Sequence, residues 1–389
     1  MVAALASEHD APHLIPMKKQ NIVLLSVSAG AGHVRAAEAL RVTAQENFPA
    51  VVATHIDLMS LVPGGFKKIY ADSYIKVVER MPALWGYLYD LTDKPRGDSA
   101  LSRLRRAVER LNTRKLKAQL ARLTPDVVIC THFLPAELLA RMKRKHEIDT
   151  KVWVQITDFD VHAMWVQDNI DGYCVASDEV AARLADKGVP RETIHVTGIP
   201  IMPVFGERYS RRQCAADIGI APDKTTLLMM SGGVGLAGME KLAERLLRLP
   251  GDFQIVALAG RNAELLESLQ RIAARHRGRL TPMGYTTTIE RLMAASDLAI
   301  TKPGGLTASE CLAVGLPMIV VSPIPGQEER NADFLLESGA AMKAYDEAGL
   351  AYRVQLLMSH PQRIARMREC GLAVGKPNAA RSVLDTILN

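Results

Sequence analysis

Short apolar runs alternate with segments of helical apolar spacing along most of this chain. The first run covers residues 21–27 (NIVLLSV), and a helical pattern at residues 36–48 follows two glycines. Continuous apolar runs of this length are typical of parallel strands buried on both faces, and the helices between them supply the crossover connections. The alternation therefore predicts an α/β protein built from doubly wound parallel sheets.

The pattern is interrupted at residues 198–211, and this break predicts two domains. A chain of 389 residues is long enough for two hydrophobic cores. Strands are predicted at residues 21–27, 51–58, 126–131, 151–157, 172–175 and 193–197, and then at 225–230, 254–259, 280–283, 298–301 and 317–321. We predict a flexible tail at 1–18, an N-terminal domain at 19–203, a C-terminal domain at 204–375 and a last helix at 376–389 that packs back toward the N-terminal domain.

The stretch at residues 301–331, TKPGGLTASECLAVGLPMIVVSPIPGQEERN, carries the most specific pattern. A strand runs into a Pro-Gly-Gly turn at 303–305, and a helix follows for which Thr307 or Ser309 is the expected cap. A glycine-rich turn at a helix N-terminus leaves backbone N–H groups unpaired and directed outward, where they suit a phosphate or diphosphate. The stretch therefore predicts a diphosphate site at this turn.

Two further features of the same stretch suit a nucleotide sugar. Glu310 lies in the first turns of the helix, where its carboxylate can accept hydrogen bonds from the two hydroxyls of a ribose. A Pro/Gly loop then ends in Gln327 and Glu328, whose polar groups are of the kind that recognise sugar hydroxyls. Phosphate, ribose and sugar contacts are therefore expected within one segment.

A second glycine-rich turn, Ser-Ala-Gly-Ala-Gly-His at residues 28–33, follows the first strand. Its spacing also fits the G-x-G-x-x-x-A form of a dinucleotide fold, and Asp57 ends the second strand where a ribose-binding acid would lie. A dehydrogenase is therefore one alternative. Against it, His33 lies at the helix N-terminus where a bound pyrophosphate would need room, and no later segment has the features of a hydride-transfer site.

The two glycine-rich stretches together resemble the signatures of family 28 glycosyltransferases. The run SAGAGHVRAA at residues 28–37 is similar to that of the monogalactosyl- and glucosyldiacylglycerol synthase branch, and the resemblance covers nearly the whole chain from residue 21. It implies the glycosyltransferase-B architecture, in which two Rossmann-like domains face each other across a cleft. It also implies a UDP-sugar donor, UDP-glucose or UDP-galactose, and a diacylglycerol acceptor.

The resemblance assigns the role of general base to His33. A lipid hydroxyl becomes an adequate nucleophile only as its proton leaves, and a positioned base typically accelerates such a step by about 10²–10⁴-fold. The pKa of histidine lies near working pH, and a helix N-terminus disfavours the imidazolium, so His33 is expected to be neutral and ready to accept a proton. A structural histidine that caps the turn is the alternative.

The C-terminal domain is expected to bind the donor. In the family, the acidic residue of the helix holds the ribose and the Gln-Glu pair contacts the sugar. Glycine turns and polar residues at other strand ends are expected to contact the diphosphate and the uracil edge. The expected donor-binding residues are Ser231, Gly232, Gly233, Arg261, Tyr285, Pro303, Gly304, Gly305, Leu306, Thr307, Glu310, Gln327 and Glu328.

The segment TDFDVHAMW, residues 157–165, resembles the run that lines the acceptor side of the cleft in the family. Its Asp-x-Asp pattern also occurs in metal sites, but here it ends a strand in the acceptor half, away from the diphosphate turn. A purely structural role is a further alternative, and a satisfied loop histidine is the alternative for His132. The expected acceptor-side residues are Gly32, His132, Asp158, His162 and Trp165.

Positive charge is concentrated in one part of the chain. The formal net charge is +6, yet residues 60–122 hold 14 Lys and Arg against 6 Asp and Glu, together with 6 of the 19 aromatic residues. Basic groups interleaved with Trp and Tyr suit an anionic membrane surface, where each cation contributes roughly 1 kcal/mol. Nucleic acid is disfavoured because no nucleic-acid motif is present, and a solvated helix face is the other alternative. The expected membrane-contacting residues are Trp85, Arg103, Arg105, Arg106 and Arg110.

Composition limits the cellular context. No apolar run is long enough for a transmembrane helix, and the first 18 residues are expected to form a frayed tail rather than a signal peptide. The 5 cysteines lack metal or redox spacing, which fits a reducing cytoplasm. The expected protein is therefore a cytoplasmic enzyme bound peripherally to the inner face of the cell membrane.

The expected sugar transfer requires no cofactor and no metal, because backbone amides and arginine replace the divalent ion at the diphosphate. Two functions remain as alternatives on the same architecture. One is transfer of N-acetylglucosamine to another lipid-linked acceptor, and the other is epimerisation of a nucleotide sugar. A non-enzymatic lipid-binding protein is a third alternative, disfavoured because it would leave the donor-binding elements without a role.

Overall fold

The described part of the chain contains two parallel sheets of six strands each. The computed structural model describes residues 19–28, 30–62, 114–230, 236 and 238–388. Every described strand pair in both sheets is parallel, and helices connect successive strands. The predicted architecture of two doubly wound α/β domains is therefore confirmed.

The first domain contains strands close to the predicted ranges. Its elements are β1 (Gln20–Ser26), α1 (Ala31–Asn47), β2 (Val51–Asp57), β3 (Val127–Cys130), α2 (Phe133–Arg144), β4 (Lys151–Gln155), β5 (Gly172–Val175), α3 (Asp178–Asp186) and β6 (Ile194–Val196). Residues 114–123 are also helical. The strand order is β2-β1-β3-β4-β5-β6.

The second domain repeats the alternation. Its elements are α4 (Arg211–Ile218), β7 (Thr225–Met229), α5 (Met239–Leu247), β8 (Phe253–Gly260), α6 (Ala263–Arg275), β9 (Leu280–Gly284), α7 (Ile289–Ala294), β10 (Leu298–Thr301), α8 (Gly305–Val314), β11 (Met318–Val321), α9 (Gln327–Glu337), β12 (Ala341–Ala344), α10 (Glu347–Ser359), α11 (Pro361–Val374) and α12 (Ala379–Leu388). The strand order is β12-β11-β10-β7-β8-β9. The edge strand β12 was absent from the predicted set, because AMKA is short and includes a lysine.

Strand β1 of the first sheet is buried on both faces. Val23 and Leu25 of β1 belong to one cluster of buried side chains, whereas Ile22 and Leu24 belong to another. Because successive side chains of a strand point to opposite faces, these clusters lie on the two sides of the sheet. Burial on both faces explains why the strand is a continuous apolar run in the sequence.

The C-terminal helix α12 packs against α1 of the first domain. Val383 and Leu384 share the buried cluster that contains Leu40 of α1. The preceding helix, α11, packs instead against α8 of the second domain. The chain therefore returns from the second domain to the first between α11 and α12. None of the helices in the described part of the chain is long and apolar enough to span a membrane.

Helix α1 begins at Ala31, five residues before the predicted start. Gly30 is its N-cap, with extended backbone (φ −167°), and Gly32 lies in the first turn. Glycine weakens a helix interior, but the first four N–H groups of a helix have no intrahelical partner in any case. His33 therefore lies inside the first turn of α1.

Two details of the stretch at 301–331 were predicted wrongly. The expected caps Thr307 and Ser309 are inside α8, whose N-cap is Gly304, and the Ser309 hydroxyl donates to the Gly305 carbonyl oxygen (2.8 Å). Gln327, predicted in a loop, begins α9. The turn before α9 reverses through Gly326 at φ 84°, and two glutamates in the first turn stabilise the helix N-terminus.

The strand order places the predicted site loops at the centre of each sheet. In the first sheet β1 and β3 are neighbours, and the chain leaves them toward opposite edges; β7 and β10 have the same relation in the second sheet. At such a point the two connections diverge and open a crevice at the carboxyl ends of the strands. The loops after β1, β3 and β10 therefore border the crevices.

Candidate active site

His33 is held in one tautomer by the crevice of the first sheet. Its Nδ1 is 2.8 Å from the Thr131 carbonyl oxygen, after β3, and 2.9 Å from the Thr157 hydroxyl, after β4. A carbonyl oxygen only accepts hydrogen bonds, so Nδ1 carries the hydrogen and Nε2 carries the lone pair. The Thr131 hydroxyl in turn donates to the His33 carbonyl oxygen (2.8 Å). Nε2 is therefore the nitrogen that can accept a proton.

The surroundings of His33 favour its neutral form. Burial lowers its pKa below the ordinary value, and this outweighs the negative charge of Asp158 and the hydrogen bond to Thr131, both of which raise it. The N-terminus of α1 acts in the same direction as burial, because the helix dipole places partial positive charge beside the ring. A neutral imidazole is the form that can act as a general base.

Aromatic side chains surround the His33 ring. The His132 ring packs edge-on against it with centroids 4.5 Å apart, and the Trp165 ring lies 6.3 Å away. Phe133 contacts both His132 and Trp165. His132 and Trp165 are buried. Two of the expected acceptor-side residues therefore form a wall beside the histidine.

His132 is the N-cap of α2, and His162 is the N-cap of the short helical segment Ala163–Trp165. Nδ1 of His132 accepts from the Leu134 amide (3.0 Å), and Nδ1 of His162 accepts from the Met164 amide (3.1 Å). Because Nδ1 accepts, the ring hydrogen lies on Nε2, which is the opposite tautomer to that of His33. Burial, assisted by the neighbouring His33, lowers the pKa of His132 well below its ordinary value. The loop-histidine alternative therefore fits the observed geometry of His132.

The N-terminus of α8 presents backbone amides. Gly304 is the N-cap, no side chain in the described part of the chain caps this helix, and its first turn contains no acidic residue. The first intrahelical hydrogen bond is donated by Ala308 N to Gly304 O (2.9 Å). The amides of Gly305, Leu306 and Thr307 precede it. Together with the helix dipole, these amides make a site suited to an anion.

The two glycine-rich helix starts meet at the contact between the domains. A Cβ atom at Gly305 would lie 2.1 Å from the Thr157 carbonyl oxygen, and a Cβ atom at Gly32 would lie 3.6 Å from the Leu306 side chain. Only glycine at position 305 allows α8 to approach the loop that carries Thr157, which is bonded to His33. The base and the cluster of amides therefore lie on opposite sides of one interdomain crevice.

Glu310 is paired with Arg35 of the first domain. Nη2 of Arg35 donates to Oε1 of Glu310 at 3.1 Å, and the two side chains are 43% and 7% exposed. Burial raises the pKa of Glu310, and the charge of Arg35 opposes this effect. One oxygen of the expected ribose-binding carboxylate is therefore engaged across the crevice.

Asp158 connects the first domain to α9. Its Oδ2 accepts from Nε2 of Gln327 (2.7 Å), and its Oδ1 accepts from Nδ2 of Asn331 (3.1 Å). The Asn331 amide is oriented by the Phe159 amide, which donates to its Oδ1 (2.8 Å). Since Asp158 receives the amino group of Gln327, the oxygen Oε1 is the polar atom that Gln327 can present to a ligand hydroxyl.

The Asp-x-Asp pair joins the two domains. Asp158 receives two amide donors, and Asp160 lies 3.7 Å from Arg183 and 3.8 Å from Arg330 of α9. Among the described residues, no group of three or more His, Cys, Asp or Glu side chains is arranged to hold a metal ion. The carboxylates of both residues therefore make contacts within the protein, and the expected acceptor-side role of Asp158 stays a prediction.

Glu328 lies beneath the Pro-Gly-Gly turn. A Cβ atom at Gly304 would be 4.0 Å from its Oε1, and its Oε2 accepts from the Ile324 amide (2.7 Å). Burial raises the pKa of Glu328, and the positive charge of Lys302 opposes this effect. One carboxylate oxygen thus shapes the loop before α9, while the other lies close to the predicted diphosphate turn.

Arg261 and Tyr285 form a stacked pair at the carboxyl ends of β8 and β9. The Arg261 guanidinium lies 4.5 Å above the centre of the Tyr285 ring, and Tyr285 is 53% exposed. A cation over an aromatic face is attractive, and the exposed ring offers a flat surface. The two residues are therefore adjacent, as their positions at neighbouring strand ends predict.

Several expected site residues lie outside the described part of the chain. These are Ser231, Gly232 and Gly233 of the glycine turn after β7, and Trp85, Arg103, Arg105, Arg106 and Arg110 of the basic, aromatic window. The tail at residues 1–18 also lies outside it. These expectations stay predictions.

The crevice includes residues that the sequence patterns missed. Arg35 follows His33 by two residues, Asn331 follows Gln327 by one helical turn, and Lys302 directly precedes the Pro-Gly-Gly turn. The signal available in the sequence was the position of each residue next to a motif. Asn331 in addition shares a helix face with Gln327, because residues one turn apart lie on the same face.

The contacts of Asp57 argue against the dehydrogenase alternative. Its carboxylate accepts from the Ser28 amide (3.1 Å) and the Met59 amide (3.0 Å). It holds the backbone that enters the glycine-rich turn and caps the short helix Leu58–Ser60. The acid that would bind a ribose in a dinucleotide fold is therefore used within the protein.

The two parallel sheets and the crevice between them define the glycosyltransferase-B architecture, with a histidine in one domain opposite the N-terminus of α8 in the other. The crystal structure of MurG from Acinetobacter baumannii is similar, with a TM-score of 0.63 and 17% identity, covering 95% of this chain and 99% of that chain. The UDP-GlcNAc 2-epimerase from Neisseria meningitidis, bound to UDP-GlcNAc, has a TM-score of 0.60 and 12% identity, covering 95% and 99%. At these identities the likeness shows the fold.

Each half of the chain matches a family model. Residues 33–201 match the family model of monogalactosyldiacylglycerol synthase, and residues 236–383 match that of the glycosyltransferase family 28 C-terminal domain. A processive diacylglycerol beta-glucosyltransferase from Bacillus cereus (strain AH187) is 28% identical over 376 residues, which is 96% of this chain and 94% of the relative. The N-terminal half of the chain is therefore of the monogalactosyldiacylglycerol synthase type, and its C-terminal half contains a glycosyltransferase family 28 C-terminal domain.

Proposed function

We propose that this protein is an inverting glycosyltransferase that moves glucose or galactose from a UDP-sugar to the hydroxyl of diacylglycerol at the cytoplasmic face of a membrane. The observation that carries the proposal is the position of His33 opposite the N-terminus of α8, across the crevice between the domains. The name of the Bacillus cereus relative supports diacylglycerol as the acceptor.

His33 acts as the general base in a single displacement. Its Nε2 takes the proton of the acceptor hydroxyl, and the hydroxyl oxygen attacks the anomeric carbon from the face opposite the diphosphate. The bond between the anomeric carbon and the diphosphate oxygen breaks, and UDP leaves with the electron pair. The hydrogen bond from Nδ1 to Thr131 O (2.8 Å) stabilises the imidazolium that forms.

The departing diphosphate gathers negative charge at the N-terminus of α8. The amides of Gly305, Leu306 and Thr307 are fixed before the reaction begins, so they stabilise this charge without rearranging. Lys302, whose charge already acts on Glu328, and Arg261 at the end of β8 add positive charge. Transfer is therefore expected to proceed without an added divalent metal.

The sugar nucleotide is recognised by side chains at the same crevice. Glu310 accepts the ribose hydroxyls, and Gln327 presents Oε1 to a sugar hydroxyl because its amino group is held by Asp158 (2.7 Å). The buried wall of His132 and Trp165 faces the acceptor lipid beside the base. Closure of the two domains over the donor excludes water that would otherwise hydrolyse it.

Transfer to lipid tests the proposal directly. Purified protein is incubated with vesicles that contain diacylglycerol and with radiolabelled UDP-glucose or UDP-galactose, with and without EDTA, and the lipids are separated by chromatography. We expect labelled glycosyldiacylglycerol from one donor, β-linked when the donor is α-linked, and an equal yield in EDTA. Retention of the anomeric configuration would contradict the mechanism, and absence of a labelled lipid with both donors would contradict the proposed reaction.

Membrane attachment is tested separately. Changing Arg103, Arg105, Arg106 and Arg110 to glutamine is expected to weaken sedimentation with anionic vesicles, because each cation near such a surface contributes roughly 1 kcal/mol. A control variant removes the same charge from four arginines elsewhere: Arg212, Arg275, Arg363 and Arg366. Equal loss in both variants would indicate a general charge effect, and no loss in the first would remove this segment from the membrane contact.

A further inference from the structure

An ion pair joins the two domains at the position expected for the ribose. Arg35 belongs to α1, and its Nη2 lies 3.1 Å from Oε1 of Glu310 in α8. The guanidinium side chain is 43% exposed, whereas the carboxylate is 7% exposed. The cation is therefore accessible from the crevice, and the anion lies at the base of the contact.

The buried carboxylate depends on this partner for its charge. Taking a carboxylate out of water disfavours its ionised form unless an opposite charge or hydrogen-bond donors compensate. In α7, Glu290 is buried and acts as a like charge that raises the pKa of Glu310, whereas Arg35 lowers it. Helices α9 and α11 and the turn Pro203–Gly206 also pack against α8, but no described residue of these elements adds a charge that acts on Glu310. Arg35 is therefore the cation that stabilises the ionised carboxylate.

We propose that Arg35 is a positioning residue for ribose recognition, which holds one oxygen of Glu310 and leaves Oε2 for the ribose hydroxyls. This inference rests on the proposed function, because that function assigns the ribose to Glu310. The nucleotide site of the second domain is thus completed by a residue of the first. Ribose recognition consequently requires the two domains to be in contact.

The binding of two nucleotides distinguishes a role of Arg35 in ribose recognition from a direct contact of Arg35 with the diphosphate. UDP carries the ribose hydroxyls, and 2′,3′-dideoxy-UDP lacks them but keeps the base and the diphosphate. The ratio of their dissociation constants for the full chain measures ribose recognition alone. An arginine that contacts the diphosphate would change both constants equally, whereas one that acts through Glu310 changes only the constant for UDP.

Four variants make the comparison, each checked by its Tm for correct folding. We expect Arg35→Gln to weaken UDP binding by about tenfold, in the range for a hydrogen bond to a charged group, and to leave dideoxy-UDP binding unchanged. Glu310→Ala should remove the difference between the two nucleotides, and Arg35→Lys should restore most of it because the charge is retained. Arg41→Gln is the matched control, because Arg41 lies on the same helix but pairs with Glu38 (2.6 Å).

Dependence on pH gives a second measurement. The ionised carboxylate is the form that accepts both hydroxyls, so the preference for UDP is present above the pKa of Glu310 and is lost as the pH falls through it. Removing Arg35 removes an effect that lowers this pKa, so the preference should be lost at higher pH in Arg35→Gln than in the wild type. Because the ratio is taken at each pH, titration of the terminal phosphate cancels.

The possible results separate the inference from the function on which it rests. If the wild type does not bind UDP, or if Glu310→Ala leaves the ratio unchanged, the ribose assignment fails and the inference fails with it. If Glu310→Ala removes the preference but Arg35→Gln does not, the inference alone is wrong. Equal weakening of both nucleotides would place Arg35 on the diphosphate, and tighter UDP binding would make it a competitor for Glu310; both results would overturn the proposal.

Discussion

The N-termini of α1 and α8 share a local structure and differ in what they present. Each follows a central strand of its sheet, and each has a glycine as N-cap without a side-chain cap among the described residues. Helix α1 places an imidazole in its first turn, held by Thr131 and Thr157 (2.8 and 2.9 Å). Helix α8 places only Gly305, Leu306 and Thr307 there.

This difference shows how one backbone motif can support two chemical roles. Unpaired amides and a helix dipole favour an anion wherever they occur. A histidine at the same place occupies the anion position, and the partial positive charge then favours its neutral form. In the proposed mechanism, the duplicated strand–glycine–helix geometry supplies a base in one domain and an anion site in the other. Experiments that remove the imidazole or obstruct the amides test this comparison.

The largest effect is expected from the side chain of α1. His33→Gln removes the proton acceptor, so kcat should fall by about 10²–10⁴-fold, the usual contribution of a positioned base. Binding of UDP, measured by calorimetry, should be unchanged because it depends on the amides of α8. A kcat close to that of the wild type would show that His33 is not the base. A loss of UDP affinity as large as the loss of kcat would show that His33 also contributes to nucleotide binding, which the proposal assigns to α8.

The second-largest effect is expected from Gly305 at the start of α8, compared with Gly32 at the start of α1. Alanine at position 305 would place Cβ 2.1 Å from the Thr157 carbonyl oxygen, whereas alanine at position 32 would place it 3.6 Å from the Leu306 side chain. The first is a steric overlap and the second is ordinary contact. Overpacking typically costs about 1–3 kcal/mol, so kcat/KM of Gly305→Ala should fall by roughly 10–100-fold.

Two controls accompany this measurement. Gly32→Ala should lower kcat/KM less than Gly305→Ala does, although Gly32 is an expected acceptor-side residue, because its Cβ would make only ordinary contact. Gly30→Ala should change kcat/KM little, since no described atom lies within 4 Å of its Cβ position. The Tm of Gly305→Ala should also fall, because one buried cluster contains side chains of both domains, so kcat/KM is measured well below the onset of unfolding of the variant. Equal losses at positions 32 and 305 would contradict the asymmetry between the two contacts.

Local patterns predicted the two strand–glycine–helix units, because each depends on a short run of sequence. They did not predict the first residue of either helix, since α1 begins five residues before its predicted start and the expected caps Thr307 and Ser309 lie inside α8. A continuous apolar run marks a strand buried on both faces, and a glycine turn marks its exit toward a helix. Local patterns failed where composition was ambiguous. The edge strand β12 was not predicted because it is short and contains Lys343. The start of α9 at Gln327 was assigned to a loop because prolines and a glycine directly precede it.

The contacts across the crevice could not be predicted from the sequence for another reason. Arg35 and Glu310 are 275 positions apart, and Asp158 and Gln327 are 169 positions apart. Each residue belongs to a recognisable motif, but the pairing depends on how two independently patterned domains dock. No periodicity or capping signal within either domain carries that information. Glu310, Asp158 and Gln327 were therefore singled out individually, whereas Arg35 and the contacts between the domains were not.

The smallest expected effect concerns the charge behind the base. Asp158 raises the pKa of His33, so Asp158→Asn should lower that pKa further. His33 must be neutral to accept a proton, which means that kcat/KM rises with pH through the His33 pKa of the free enzyme. The midpoint of the acid limb should therefore move to lower pH in the variant, because burial and the N-terminus of α1 would then lower the pKa of His33 without the opposing charge of Asp158.

Asp160→Asn is the matched control for this last measurement. Asp160 lies two residues away at the same domain contact, between Arg183 and Arg330 (3.7 and 3.8 Å), but its charge is not among the influences on the pKa of His33. Both variants weaken contacts between the domains, so both can lower kcat/KM; only Asp158→Asn should move the midpoint. An acid limb that stays in place would show that burial and the helix start determine the state of His33 without Asp158. An acid limb that moves to higher pH would show that Asp158 lowers the pKa of His33, and either result would contradict the prediction.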